Sequence, residues 1–353
     1  TRARLRGYDS ALWLSTDTVI NAVLKDYRAA ATSGDRALAG LRHLRAGRGM
    51  TIHRAVIFGR MWRDPYASLI ESARQIYDFC VAEGDLVGAA NGALNETMWT
   101  WRSAETLEEV AAKLEDTGGK AARLGDARVR GEIALLAELV GRLRQPEPLS
   151  SHLPGDFVHG KSDVPSLAAV EYLSLVGDWP AILQIIDGFR GKRPIADFHP
   201  NSVIWRFYKN LARLKSGLPL DRSDLKFIAR AAQENPTDHL GKLLLLEAEH
   251  QHRQGKKEGL RPHTDALEAM QKGSSRLELG LAAECAAAAA RERGDHAAHE
   301  RFQAAATATW SAWGALGKLA MYEALQISPP IRERLALAEA QTAMAQRGAL
   351  AKE

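Results

Sequence analysis

The chain has 353 residues, of which 46% are hydrophobic and 25% are charged, and these proportions exclude a chain dominated by disorder. No uninterrupted apolar run approaches the roughly 18–20 residues that cross a bilayer, so we exclude a transmembrane protein and expect no membrane insertion. The net charge of +4 is small but uneven, because residues 1–63 hold 12 Lys and Arg against 4 Asp and Glu.

Cysteine content and the start of the chain bear on its cellular setting. The two cysteines, Cys80 and Cys285, cannot form a disulfide framework or a Cys-based zinc site. We therefore expect a reduced, cytoplasmic setting and two buried, inert thiols. The chain begins at Thr1, with no initiator Met and no signal-peptide h-region, which leads us to expect a piece of a longer protein.

Helical periodicity runs along most of the chain. In Glu132–Leu143, apolar residues recur at steps of three and four, which is typical of one buried helix face. The same period recurs in Arg222–Ala232, Leu240–His250 and Leu277–Arg291, whereas alternating runs of the strand type are nearly absent. The sequence therefore predicts an all-α fold.

A recurring Gly-Asp pair predicts how these helices are joined. Glycine takes the left-handed conformation that ends one helix, and aspartate then caps the amide groups that begin the next. The pairs are Gly34-Asp35, Gly84-Asp85, Gly125-Asp126, Gly177-Asp178 and Gly294-Asp295. Repeated antiparallel helix hairpins stack into an α-solenoid, here of the tetratricopeptide-like type, in which each repeat contacts its neighbours.

One proline-rich stretch divides the predicted array. Residues 146–165 contain four prolines and little periodicity, which is typical of a loop. We predict N-terminal helical repeats over residues 1–145, basic at 1–63, and C-terminal helical repeats over residues 166–325. A C-terminal helix or tail over residues 326–353 completes the chain.

The loop contains a match to the P-loop pattern G-x-x-x-x-G-K-[ST]. The residues that carry it are Gly155, Gly160, Lys161 and Ser162. In a P-loop, backbone amides cradle phosphates, while the lysine and the hydroxyl contact phosphate and magnesium. A buried strand must precede the motif and a helix must begin at its Lys-Ser, but the preceding residues are not strand-like and Pro165 favours a later helix start. The run Ile185–Asp187, which resembles a Walker B motif, lies in a segment with helical period. We therefore interpret the match as a solvated loop.

The basic N-terminal region suggests a docking surface. Arg42, Arg45 and Arg48 would share a face at helical spacing, and Arg54 follows in the same region. Such a patch suits an acidic partner domain, an acidic membrane surface or nucleic acid, or it is simply a solvated face. Because aromatic interleaving is scarce and charge is the sole nucleic-acid signal, we consider nucleic acid an unlikely partner.

Histidine pairs raise the question of a metal site. His250 with His252, and His296 with His299, stand close together in helical segments. Zinc sites need a third ligand, and no H-E-x-x-H pattern accompanies either pair. We interpret both pairs as parts of charged helix surfaces and expect no metal site.

The C-terminal half carries three stretches that match a known family. They are Asn235–Arg253, Leu277–Gly294 and Phe302–Glu323, and the third is the most specific. Its signature residues are Trp310, Trp313, Gly314, Ala315 and Lys318. The chain resembles, over about residues 70–325, the helical-repeat regions that follow the AAA/STAND-type ATPase module in large bacterial signalling proteins. Those proteins also contain a serine/threonine kinase-like domain and often a sensor histidine kinase.

The resemblance implies architecture and context but supplies no catalytic residue. Trp310 and Trp313 in these motifs, like Trp205 elsewhere, are interpreted as core wedges between repeats rather than a ligand cage, and Trp99 and Trp101 are expected on different sides of one helix. We expect a non-enzymatic region for protein–protein interaction and regulation, without a cofactor. Its partner would be another protein or a neighbouring domain of the same polypeptide, and its oligomeric state stays open. The alternatives are a P-loop nucleotide-binding protein and a basic nucleic-acid-binding solenoid.

Overall fold

A computed structural model describes residues 2–44, 46–153, 163–188, 199, 201–255, 259–273 and 275–326. These residues form 16 α-helices and no strand, which confirms the all-α prediction. No helix in these ranges is both long enough and apolar enough to span a membrane. Three parts of the sequence predictions lie outside the described residues. They are the P-loop match at residues 155, 160, 161 and 162, the residue Arg45, and nearly all of the predicted C-terminal segment.

Most of the helices follow one another with short connections, and the longer ones lie between residues 144 and 163 and between residues 188 and 201. In the first half they are α1 Arg2–Val23, α2 Tyr27–Ala39, α3 Arg48–Phe58, α4 Tyr66–Glu83, α5 Leu86–Ser103, α6 Leu107–Leu124 and α7 Ala127–Arg144. In the second half they are α8 Asp163–Val176, α9 Trp179–Gly188, α10 Asn201–Lys215, α11 Arg222–Glu234, α12 Pro236–Arg253, α13 Arg261–Gln271, α14 Arg276–Glu292, α15 His296–Trp313 and α16 Leu316–Gln326. Two 3-10 turns, Leu41–His43 and Arg60–Trp62, flank α3.

Four of the five Gly-Asp pairs form the predicted turns. Their glycines are left-handed, with φ between 70° and 82°. Each following aspartate accepts a hydrogen bond from the amide three residues later, at 2.8–3.1 Å. The confirmed pairs are those at 84–85, 125–126, 177–178 and 294–295. Local backbone chemistry therefore sets these hairpin turns.

The prediction at Gly34-Asp35 is wrong. Gly34 lies inside α2, and a Cβ at this position would stand 2.9 Å from the carbonyl oxygen of Ala55 in α3. The glycine is needed there because two helix backbones approach closely. The turn before α2 is made instead by Lys25, whose φ is +63°, and by Asp26, which accepts a hydrogen bond of 3.0 Å from the amide of Ala29.

Contacts between distant hairpins supplement the nearest-neighbour contacts of a helical-repeat array. Helix α5 touches α14, and α7 touches α16. Arg276 at the start of α14 pairs with Glu105 of the first half. A single cluster of buried hydrophobic residues extends from Tyr27 to Ala315. The N-terminal and C-terminal repeats thus share one core.

Candidate functional site

Buried charged and polar side chains gather where the two halves meet. The carboxylate of Asp238, at the start of α12, accepts hydrogen bonds from the amide of Tyr66 at 3.1 Å and from the side chain of Asn235 at 3.0 Å. One turn further along α12, the Lys242 ammonium pairs with Glu278 of α14 at 2.6 Å. Burial raises the pKa of Asp238 to about 6. We call these residues, with Trp101, Arg102 and Glu171, the polar junction.

Helices α5 and α8 supply the rest of the polar junction. Glu171 accepts a hydrogen bond of 2.9 Å from the Trp101 indole, and the Arg102 guanidinium lies 3.5 Å from its other oxygen. Burial raises the pKa of Glu171. The Arg102 guanidinium lies 5.7 Å from the centre of the Tyr66 ring, and its nitrogens make no hydrogen bond in the described structure.

Space in the polar junction is too small for a substrate. The cavity that Arg102, Asp238 and Glu278 help to line has a volume of about 10 Å³, which is roughly the space that one water molecule needs. Perturbed pKa values often mark catalytic sites, but ion-pair networks inside a fold perturb them as well. The polar junction therefore connects the N-terminal half of the fold to the C-terminal half.

An open groove lies between α12 and α13. Two adjoining hollows of about 480 and 370 Å³ share Leu244 and Asp265 as lining residues, so they form one groove. Its lining on α12 runs from Pro236 to Gln251 along one helix face. At 1.5 Å per residue this face is roughly 22 Å long. The groove is long enough for four turns of another helix.

The floor of the groove is apolar. Leu240 and Leu244 stand one turn apart on α12, and Leu240 is 36% exposed. Pro262 and Ala269 line the α13 side. Leu240 is exposed and Leu244 is half-buried, and leucines at this spacing give a helical ligand a surface on which to bury its own apolar face.

Carboxylates stand along the edges of the groove. Glu247 lies on α12, and Asp265 and Glu268 lie on α13. Asp265 makes a loose ion pair of 3.8 Å with Arg261, whereas Glu247 and Glu268 have no ion pair among the described residues. Lys272 lines one end and Arg261 lines the other, so the two cations of the lining stand at its ends and the three carboxylates stand between them.

Particular residues determine where α12 begins and how closely it packs against α13. Asn235 caps α12 by accepting a hydrogen bond from the amide of Asp238 at 3.2 Å, and Pro236 follows at the first helical position, where proline is favoured. Gly241 faces Met270 so closely that a Cβ would overlap the methionine side chain. The helices are therefore in close contact beside the groove.

A buried ion pair holds α13 against α12 away from the groove. Glu249 lies 3.2 Å from the His263 ring and 2.7 Å from the Lys215 ammonium. Burial alone would raise the pKa of Glu249, but the hydrogen bond with His263 and the charge of Lys215 outweigh burial and lower it to about 2. The carboxylate therefore stays charged at neutral pH and ties α10, α12 and α13 together.

The described residues around the P-loop match do not form a nucleotide site. Ile185–Asp187 lies on α9, and Ile182 and Ile185 of this helix are buried in the core. A Walker B segment would instead be a strand. Helix α8 begins at Asp163, two residues earlier than the prediction from Pro165. Upstream of the match, residues 145–153 contain no strand.

The predicted arginine face is not formed. The chain over residues 42–48 is not one helix, because Leu44 is extended and Gly47 has a φ of +75° before α3 begins at Arg48. Arg48 donates to the Leu44 carbonyl at 2.8 Å, and its guanidinium lies 5.6 Å from the Phe79 ring centre.

The other arginines of this region are dispersed. Arg54 donates to the hydroxyl of Thr16 at 3.2 Å, and Arg42 lies in the exposed 3-10 turn. Arg63 pairs with Asp35 at 2.6 Å. Arg42 and Arg48 therefore do not share one helix face, and a docking role for these arginines stays a prediction.

The family signature residues are internal. Trp310 and Trp313 are buried, and Gly314 ends α15 with a φ of +82°. The Lys318 ammonium pairs with Glu284 at 2.8 Å and donates to the backbone carbonyl of Leu175. Ala315 is fully buried as well. Trp205 is buried too, as the interpretation of Trp205, Trp310 and Trp313 as packing residues predicts, and Trp99 and Trp101 are buried as well.

The histidine pairs and the cysteines have structural surroundings. His252 pairs with Glu292 at 2.7 Å, and the ring of His299 contacts the Ala287 carbonyl at 3.0 Å. Within the described ranges, no group of three or more His, Cys, Asp or Glu side chains could hold a metal ion. Burial raises the pKa of the Cys80 and Cys285 thiols to about 12, so both stay protonated at neutral pH.

Sequence reasoning did not identify the groove, although one signal for it is present. Leu243–Leu246 is a run of four leucines, and consecutive helical residues are about 100° apart, so one core cannot cover all four. Leu245 and Leu246 are fully buried, whereas Leu244 lines the groove.

The sequence matches no protein-family model, no curated protein and no solved structure.

Proposed function

We propose that this protein is a non-enzymatic helical-repeat region for protein–protein interaction, and that a segment of a partner binds in the groove between α12 and α13. The observation that carries the proposal is the groove itself, with exposed Leu240 and half-buried Leu244 on its floor and carboxylates on both edges. Helical-repeat proteins commonly use extended surfaces of this kind for recognition.

The context is a cytoplasmic bacterial signalling protein, supported by the sequence resemblance of Asn235–Arg253 and Phe302–Glu323. The partner is another protein or a neighbouring domain of the same polypeptide. The shared core and the polar junction support a regulatory role, because they connect the groove helices to α4 and α5. A partner that shifts α12 would displace Asp238 and thereby the start of α4.

Site-specific photo-crosslinking in cells tests the proposed function. A photoreactive phenylalanine analogue replaces Leu244 in the groove or, as a control, Thr307 on the exposed surface of α15. We expect a crosslink at position 244, either to another protein as a product of defined mass or within the same polypeptide as a linked peptide in mass spectrometry, and none at position 307. Equal crosslinking at the two positions, or none at position 244, would overturn the proposal.

A further inference from the structure

We infer that the occupant of the groove is an amphipathic helix of a partner protein whose apolar ridge is flanked by lysines and arginines. This inference rests on the proposed function and adds the chemical class of the partner. The roughly 22 Å length of the groove matches about four helical turns. Both walls are helices, so a third helix can lay a ridge of side chains between them.

Leu240 and Leu244 determine the apolar part of the ligand. They lie at i and i+4 on α12, with Ala269 opposite. A ligand helix with large apolar residues at i, i+4, i+7 and i+11 would cover Leu240 and Leu244 and continue towards Pro262 on α13. The small side chain of Ala269 leaves space for such a ridge next to α13.

Unpaired carboxylates determine the charged part of the ligand. Glu247 on one wall and Glu268 on the other make no ion pair in the described structure, and the pair that Asp265 makes with Arg261 is 3.8 Å long between two exposed side chains. Lysines or arginines that flank the apolar ridge would meet carboxylates on both sides. A ligand whose ridge is flanked by acidic residues would place like charges close together, and this repulsion would weaken the binding of such a partner.

A pair of designed peptides tests the charge preference. Both have about 16 residues and the same four-leucine ridge, which spans roughly the length of the groove, and the flanking positions carry lysine in one peptide and glutamate in the other. We expect fluorescence anisotropy at about 0.15 M salt to show at least roughly tenfold tighter binding of the lysine peptide. Equal affinity for the two peptides would overturn the inference.

Variants of the protein locate the peptide on the groove. Glu247→Lys with Glu268→Lys should reverse the preference, and Leu244→Asp should abolish binding of both peptides. The matched control, Glu115→Lys with Glu300→Lys, makes the same change in net charge at exposed positions outside the groove and should leave the preference unchanged. A control that weakens binding as much as the groove variants would overturn the inference.

Two further results separate this inference from the proposed function. Crosslinks at position 244 in cells, together with no preference between the peptides, would refute the basic helix and leave the proposed function standing. Light scattering should show that the free protein is a monomer. A dimer that Leu244→Asp dissociates would overturn the inference, because the occupant would then be a second copy of the chain.

Discussion

The backbone amide of Tyr66 donates a hydrogen bond of 3.1 Å to the carboxylate of Asp238, although 172 positions separate the two residues in the chain. Pro65, at the cap position of α4, has no side chain that can accept this hydrogen bond. The Asp238 carboxylate of α12 therefore caps the start of α4. Asn235 adds a hydrogen bond of 3.1 Å to the carbonyl of Asp64. The start of α4 is therefore fixed by the start of α12.

Asp238 should make stability depend on pH. Burial raises its pKa from 3.8 to about 6, so between these values the folded state binds the proton more tightly than the unfolded state. Its contribution should be largest below pH 4 and fall as pH rises to about 6, by up to about 3 kcal/mol.

The Asp238→Asn variant lacks this titration, so urea unfolding of both proteins at several pH values isolates the effect. We expect the free energy of unfolding of the native chain, minus that of the variant, to be larger at about pH 4 than at pH 7. A difference that stays constant across this range would contradict the assignment of the titration to Asp238.

Gly280 should tolerate no side chain. A Cβ at this position in α14 would overlap the ring of Trp310, and overpacking of this kind typically costs about 1–3 kcal/mol. Gly280→Ala should therefore lower the free energy of unfolding, as measured by chemical denaturation. Gly131→Ala is the matched control, because no atom lies within 4 Å of the added Cβ, and it should stabilise α7 by up to about 1 kcal/mol. Similar effects of both substitutions would rule out the steric explanation.

The turns show what sequence can predict and where it fails. Gly84-Asp85 was predictable because both of its roles, the left-handed end and the cap, act within a few residues. Gly34-Asp35 has the same letters, but its glycine is required by the backbone of Ala55, which tertiary packing brings close. A Gly-Asp pair can thus occur for two different physical reasons, a turn or a close contact between helices, and the local sequence pattern does not distinguish them.

The groove and the polar junction depend on stacking between hairpins. Four leucines in succession imply that some leave the core, but the packing of α12 on its neighbours decides that Leu244 is the one in the groove. The contact between Tyr66 and Asp238 has no local signal at all. The sequence singled out Trp310 and Lys318 as structural residues. It did not show that Lys318 contacts Glu284 and Leu175, because these contacts depend on how the helices stack.

Lys161 should have no role in nucleotide binding. Ile185–Asp187, which would have to form a strand beside a P-loop, lies on helix α9 with Ile185 in the core. Calorimetric titration with magnesium and ATP should therefore show no binding that Lys161→Ala removes. Saturable binding by the native chain that is lost in Lys161→Ala would refute our interpretation and support the P-loop alternative.

Lys318 should be important for stability although it lies outside the groove. Its ammonium is buried, pairs with Glu284 at 2.8 Å and donates to the Leu175 carbonyl. Lys318→Met would leave that carbonyl without this donor and Glu284 without its cation, and loss of one partner from a buried pair costs about 3–5 kcal/mol. We expect a loss at or below the lower end of this range, because the Glu284 side chain is 21% exposed and keeps a hydrogen bond of 3.0 Å from the Trp310 indole.

A double-mutant cycle separates the ion pair from general packing. Lys318→Met, Glu284→Gln and the double variant should show a coupling energy of at least about 1 kcal/mol in chemical denaturation. Lys272→Met, at the exposed end of the groove, removes a lysine without a described ion pair and should change stability by less than about 0.5 kcal/mol. Equal effects of Lys318→Met and Lys272→Met would show that the buried ammonium does not hold α16 against α8 and α14.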